Sequence, residues 1–160
     1  MSVYPKLTCC GGYPRSCQQL YNVSSCPAGM SPQFCCNTNG ELTPATMSRD
    51  SSFNVITVCP NLGDVPTDTY NSSACQKLPV TNCCKEGFCY QSKDSECQWY
   101  GTFPPRDGGN SVTECSKCTP PPTSLHCCVP FQCSVYDKKS KSSCDQGSYP
   151  VPDCSMCPGY

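Results

Sequence analysis

Four pairs of adjacent cysteines constrain this chain more than any other feature: Cys9-Cys10, Cys35-Cys36, Cys83-Cys84 and Cys127-Cys128. Neighbouring cysteines rarely bond each other, because the ring they would close is strained. Each pair therefore ties one point of the backbone to two other segments. The chain holds 20 cysteines in 160 residues, an even number that allows complete pairing. Leu, Ile, Val and Phe together number only 22. That is too few for one large core, while a disulfide contributes about 2–4 kcal/mol by restricting the unfolded chain. A covalent net, more than burial, is expected to set the fold.

The cysteine spacing repeats. Cys83-Cys84 is followed by Cys89, Cys97, Cys115 and Cys118, at intervals of four, seven, seventeen and two residues. Cys127-Cys128 is followed by Cys133, Cys144, Cys154 and Cys157, at intervals of four, ten, nine and two. The ends agree in residue type: Glu114-Cys115-Ser116-Lys117-Cys118 against Asp153-Cys154-Ser155-Met156-Cys157. Two shorter versions precede them, Cys9, Cys10, Cys17, Cys26 and Cys35, Cys36, Cys59, Cys75. Self-similarity of this kind is the mark of a repeat architecture. The expected organisation is four cystine-stapled modules: 1–34 and 35–82 with four cysteines each, 83–126 and 127–160 with six each. The expected class is a small, disulfide-rich, loop-dominated fold with short β-strands and no large hydrophobic core.

Local signals agree with that class. Seventeen Pro and 11 Gly punctuate the chain, and no window keeps a helical period. The strongest strand signal is Phe53–Cys59, ended by Pro60. Shorter strands are expected at Phe88–Tyr90, after the turn at Glu86-Gly87, and at Ser111–Thr113.

Cysteine at this density belongs to an oxidising compartment, so a secreted, extracellular protein is expected. The start, Met1 to Thr8, lacks the apolar run of a signal peptide and reads as a mature chain. No stretch is long and apolar enough for a membrane span. Asn22-Val23-Ser24 and Asn71-Ser72-Ser73 are glycosylation sequons, which makes glycans on Asn22 and Asn71 expected modifications. A formal charge of −1 excludes nucleic-acid binding driven by net positive charge.

Metal, cofactor and enzyme readings find little support in the residues. The two Cys-x-x-Cys steps, Cys115–Cys118 and Cys154–Cys157, are separated by 35 residues, beyond ordinary zinc spacing. The single histidine, His126, adjoins a cysteine expected to be oxidised, so a Cys-His couple is not expected there. Asp107-Gly108-Gly109-Asn110 reads as a turn without a calcium-loop ligand series. Lys138, Lys139 and Lys141 read as a solvated loop, with an acidic polysaccharide as the alternative contact.

Aromatic residues follow three of the vicinal pairs, Tyr13, Phe88 and Phe131, and Trp99 to Phe103 adds a dense cluster. Rings lying on disulfides are the first expectation, and a sugar-stacking platform is the second. The segment Cys83-Cys84-Lys85-Glu86-Gly87-Phe88-Cys89 resembles the hevein-type chitin-binding knot, over those residues only. No binding residue is carried over from that resemblance.

The functional expectation is a non-enzymatic structural protein, a subunit of an extracellular coat, matrix or filament. Self-association would run head to tail between residues 1–12 and 150–160, through Tyr4, Pro5, Tyr149 and Tyr160. The alternative is a secreted binding module: a protease inhibitor, a toxin-like ligand or a carbohydrate binder. Exposed loops at Gly40–Met47 or Thr102–Gly109 would serve an inhibitor.

Overall fold

A computed structural model describes residues 3–50, 52–119, 121–129 and 132–157. Tyr160 and Phe131 lie outside the described residues. The fold is small, strand-rich and stapled by ten disulfides, and the one α-helix among the described residues, α1 (Ser72–Lys77), is short.

The vicinal cysteines sit on central strands. Strand β1 (Leu7–Gly11) lies between β2 (Ser16–Leu20) and β3 (Met30–Cys36). The second half of β3 in turn lies between β4 (Leu42–Pro44) and β7 (Val65–Thr67), while β5 (Thr46–Arg49) and β6 (Val55–Val58) form a separate hairpin. Next, β8 (Thr81–Lys85) is flanked by β9 (Phe88–Ser92) and β12 (Asn110–Val112), with the short pair β10 (Gln98–Trp99) and β11 (Arg106–Asp107) between them in sequence. Last, β13 (Ser124–Val129) is flanked by β14 (Gln132–Asp137) and β15 (Tyr149–Val151).

Successive side chains of a strand point to opposite faces. A vicinal pair on a central strand therefore staples both faces of its sheet. The first cysteine of each pair is buried and forms Cys9–Cys26, Cys35–Cys59, Cys83–Cys97 and Cys127–Cys144. The second forms Cys10–Cys17, Cys36–Cys75, Cys84–Cys118 and Cys128–Cys157. Cys89–Cys115 and Cys133–Cys154 complete the two six-cysteine sets. In order of sequence, both sets pair first with fourth, second with sixth and third with fifth.

Each Cys-x-x-Cys step is a 3-10 turn, Cys115–Lys117 and Cys154–Met156, closed by the amide of Cys118 on Cys115 O and of Cys157 on Cys154 O. The Cys84–Cys118 and Cys89–Cys115 bonds pin the first turn to its sheet at two points. The β8–β9 connection is the two-residue turn expected at Glu86-Gly87, with φ of 52° and 83°. Positive φ at both positions gives the turn type whose twist matches a hairpin, and Gly87 accepts it without strain.

Apolar burial is divided among small clusters: Leu7, Cys9 and Phe34; Cys35, Ala45 and Cys59; Cys128, Val151 and Cys157. No disulfide crosses from one cysteine set to another, but the backbone does. The border expected at residues 34 and 35 falls inside β3, which pairs with β1 through Met30–Gln33 and with β4 and β7 through Phe34–Cys36.

The joints differ in kind. The first is that shared strand, reinforced by the buried Thr8 hydroxyl donating to Ala45 O at 2.8 Å. The second is a seam of hydrogen bonds: Cys59 N to Tyr100 O at 2.9 Å, Lys93 N to Gly63 O at 2.9 Å, and Trp99 Nε1 to Pro60 O at 3.0 Å. At the third, Arg106 donates to Ser155 O at 2.8 Å and Lys85 meets Asp153 at 3.6 Å.

The three strand signals correspond to β6, β9 and β12. Phe53, counted with the first, instead sits in the preceding turn at φ 64°. The segments around the vicinal pairs give no strand signal because Thr, Ser, Gln and cysteine supply no apolar alternation. Their ladders are held by sulfur instead.

Candidate functional site

Of the residues expected at a head-to-tail contact, Tyr4 and Tyr149 make contacts within the chain, Pro5 is exposed, and Tyr160 lies outside the described residues. Tyr4 bridges to Val23, and its ring packs on Phe34 with centroids 5.1 Å apart. Phe34 meets Tyr70 on another side at 5.6 Å, and the Tyr70 hydroxyl accepts from Cys26 N. Tyr4 is thus part of an internal aromatic file. Tyr149 is half-buried in β15, its hydroxyl 3.3 Å from Cys128 Sγ, and burial raises its pKa.

Both sequon asparagines are exposed. Asn22 takes a left-handed conformation, φ 56°, which asparagine tolerates better than most residues. Asn71 is the N-cap of α1, its Oδ1 accepting from Ser73 N at 3.0 Å. The amide nitrogen, where a glycan would be attached, has no hydrogen-bond partner among the described residues.

Trp99 to Phe103 is not a flat platform. Trp99 is buried, and its indole N–H is spent on Pro60. Tyr100 donates its hydroxyl to Asp94 at 2.8 Å. Burial first, then that bond and the charges of Asp94 and Glu96, push its pKa up to about 12. Phe103 alone of the three rings is largely exposed, at 64%.

The basic cluster is likewise divided: Lys141 is paired with Asp145 at 2.7 Å and lies over the Tyr136 ring, while Lys138 and Lys139 are exposed. Asp107 closes a turn by accepting from Gly109 N, as its sequence implied. Of the two loops suited to an inhibitor, Gly40–Met47 is largely taken up by β4 and β5, with Ala45 buried between them.

Among the described residues, the clefts at the joints include two of about 400 Å3 or more. One, of about 400 Å3, lies beside β13 and β15 and is lined by Phe88, Ser124, His126, Lys138, Ser143 and Pro150. The other, of about 430 Å3, gathers residues from three cysteine sets: Arg15 from the β1–β2 loop, Ile56 and Val58 from β6, Pro66 from β7, and Tyr100 and Phe103. The Cys35–Cys59 bond and the Cys59–Tyr100 hydrogen bond hold its floor. Gly101 lies against the Trp99 indole, which lets the chain turn from buried Trp99 to exposed Phe103. Sequence spacing missed this cleft, because its walls come from segments scattered between residues 15 and 105.

Asp64 is buried, with its pKa raised by desolvation to about 6 against the opposing hydrogen bond of Asn61. Among the described residues no group of His, Cys, Asp and Glu is arranged to hold a metal. No described helix is long and apolar enough to cross a membrane. The disulfide density is typical of extracellular proteins. No protein-family model, no curated protein and no solved structure matches the chain.

Proposed function

We propose that the chain is a secreted, non-enzymatic structural protein, a subunit of an extracellular coat, matrix or filament. Its building block is a three-stranded antiparallel sheet clamped on both faces through a vicinal cysteine pair. The observation that supports this reading is that each vicinal pair lies on a strand paired on both sides, Cys9-Cys10 and Cys35-Cys36 on neighbouring strands of one five-stranded sheet. Blocks that associate through backbone edges, rather than through one common core, lend themselves to continuation by another copy. A contact between unlike ends that does not close produces a filament.

In this reading the end-to-end contact uses Pro5 and the exposed remainder of Tyr4 on one copy, and Tyr149 with the C-terminal segment on the next. Particle size of the oxidised, folded chain tests it by sedimentation and electron microscopy. Multimers that shorten or vanish in Pro5→Asp and on deletion of residues 158–160 are the expected result. A uniform 17.3 kDa particle at all concentrations would count against it. The second reading, a secreted binding module, draws on the apolar cleft beneath Phe103.

A further inference from the structure

The cleft of about 430 Å3 has an unusual balance of groups. Its walls are apolar, from Ile56, Val58, Pro66, Tyr100 and Phe103, and its one charged lining residue is Arg15. Two threonine hydroxyls also reach it, but both are committed: Thr57 to Gln33 Oε1 at 3.4 Å and Thr102 to Pro104 O at 3.1 Å. Tyr100 has given its hydroxyl to Asp94. Among the described residues, no carboxylate pairs with Arg15 and no hydrogen bond engages its guanidinium. The cleft thus offers apolar walls and one uncommitted cationic fork. Ligand sites in general combine a concave apolar lining with a few convergent polar groups.

We propose that this cleft binds a small amphipathic carboxylate, with its apolar chain between Ile56, Val58, Tyr100 and Phe103 and its carboxylate on Arg15. The guanidinium matches a carboxylate with two parallel N–H donors, so the head group is anionic and planar. A neutral alcohol would gain the walls without the fork, and a quaternary ammonium would meet like charge. Because three cysteine sets contribute to the lining, the cleft exists only in the assembled array, and an occupant would brace the first and second joints.

Decanoate, below its micellar range at neutral pH, is the probe, titrated into the oxidised full chain by calorimetry with amide chemical-shift mapping. The expected result is saturable binding of one equivalent, with shifts at β6 and Tyr100–Phe103. Arg15→Glu should weaken it roughly ten- to hundredfold, as loss of a charge-assisted pair does. Arg15→Lys should fall between, and Phe103→Ala should weaken decanoate and decanol alike. Arg15 and Phe103 are exposed, so these variants are expected to fold. Decanol binding as tightly as decanoate, Arg15→Glu binding unchanged, shifts mapping elsewhere, or no saturable binding would each overturn the proposal. Binding is read on the single chain, so its outcome is independent of whether the chain polymerises.

Discussion

Cys84 and Cys89 face each other across the β8–β9 ladder yet bond to Cys118 and Cys115, the two ends of one 3-10 turn. Cys128 and Cys133 do the same with Cys157 and Cys154. In the first set, Cys10 and Cys17 are also cross-strand partners, but there they bond directly. The difference follows from the Cys-x-x-Cys turn. Where a turn is docked on the face of the sheet, both strand cysteines are drawn onto it. Where none is available, they meet each other.

That arrangement orders the disulfides by cost. Cys83 and Cys97 are fully buried, whereas Cys115 is exposed. Replacing Cys89 and Cys115 by Ala should cost about 2–4 kcal/mol, the loop constraint alone. Replacing Cys83 and Cys97 should cost more, because a buried sulfur contact is lost with the constraint. Denaturant midpoints check the order, and peptide mapping of the non-reduced chain checks the bonds. A Cys84–Cys89 peptide would contradict the docked turn.

Gly101→Ala should destabilise by about 1–3 kcal/mol, the usual range for overpacking. An added Cβ would stand 2.1 Å from Cζ2 and 2.3 Å from Cε2 of Trp99. The indole cannot easily yield, since it is buried at 1% exposure and tethered to Pro60 O. Trp99 is the single tryptophan, so its emission reports directly on the strain. The expected outcome is a red shift with a lower denaturant midpoint. Unchanged emission and midpoint would mean that Gly101 does not abut the ring.

Asp64 should make the protein less stable as the pH rises from about 4 to about 6. Its folded-state pKa, raised to about 6 chiefly by desolvation, lies above the unfolded value near 3.8. The folded state therefore holds the proton more tightly. Stability from this group is present below the unfolded value and lost as the pH passes the folded one. Asp64→Asn removes the ionisation, so it should stabilise at pH 7 and flatten the profile between pH 4 and 6. Urea unfolding across that range is the measurement, and parallel profiles for both proteins would refute the assignment.

The third joint should tolerate loss of its ion pair. Lys85 and Asp153 are 3.6 Å apart and partly exposed, a geometry whose coupling is usually under about 1 kcal/mol. Asp153 has a second role: its carboxylate caps the 3-10 turn by accepting from Ser155 N at 2.8 Å. Burial pushes its pKa up, but the bonds from Ser155 and the Lys85 charge outweigh that and hold it below its ordinary value. A double-mutant cycle with Lys85→Ala and Asp153→Asn isolates the pair. Asp153→Asn alone should cost less than Asp153→Ala, because the amide oxygen can still cap.

Several features of the fold were legible in the residues. The order and spacing of the cysteines exposed the likeness of the two six-cysteine sets, which pair in the same order. Glu86-Gly87 marked a hairpin turn because one of its residues accepts positive φ freely. The scarcity of Leu, Ile, Val and Phe foretold divided burial, since small clusters are all that such a composition can fill. These are local or compositional properties that the chain carries before it folds.

Pairing belongs to the tertiary structure, because spacing cannot say that Cys84 will pass over its neighbour Cys89 to reach Cys118. Strand placement was also hidden, since a central strand held by sulfur on both faces needs no apolar alternation to stay in register. Sequence position put Tyr4 at a head-to-tail contact, and only folding brings Phe34 against its ring. Arg15 and Phe103 look like unrelated loop residues until the shared strand β3 and the Cys59–Tyr100 hydrogen bond draw three cysteine sets around one cleft. Contacts of such long sequence separation leave no periodic trace in the chain; they are decided when the joints close.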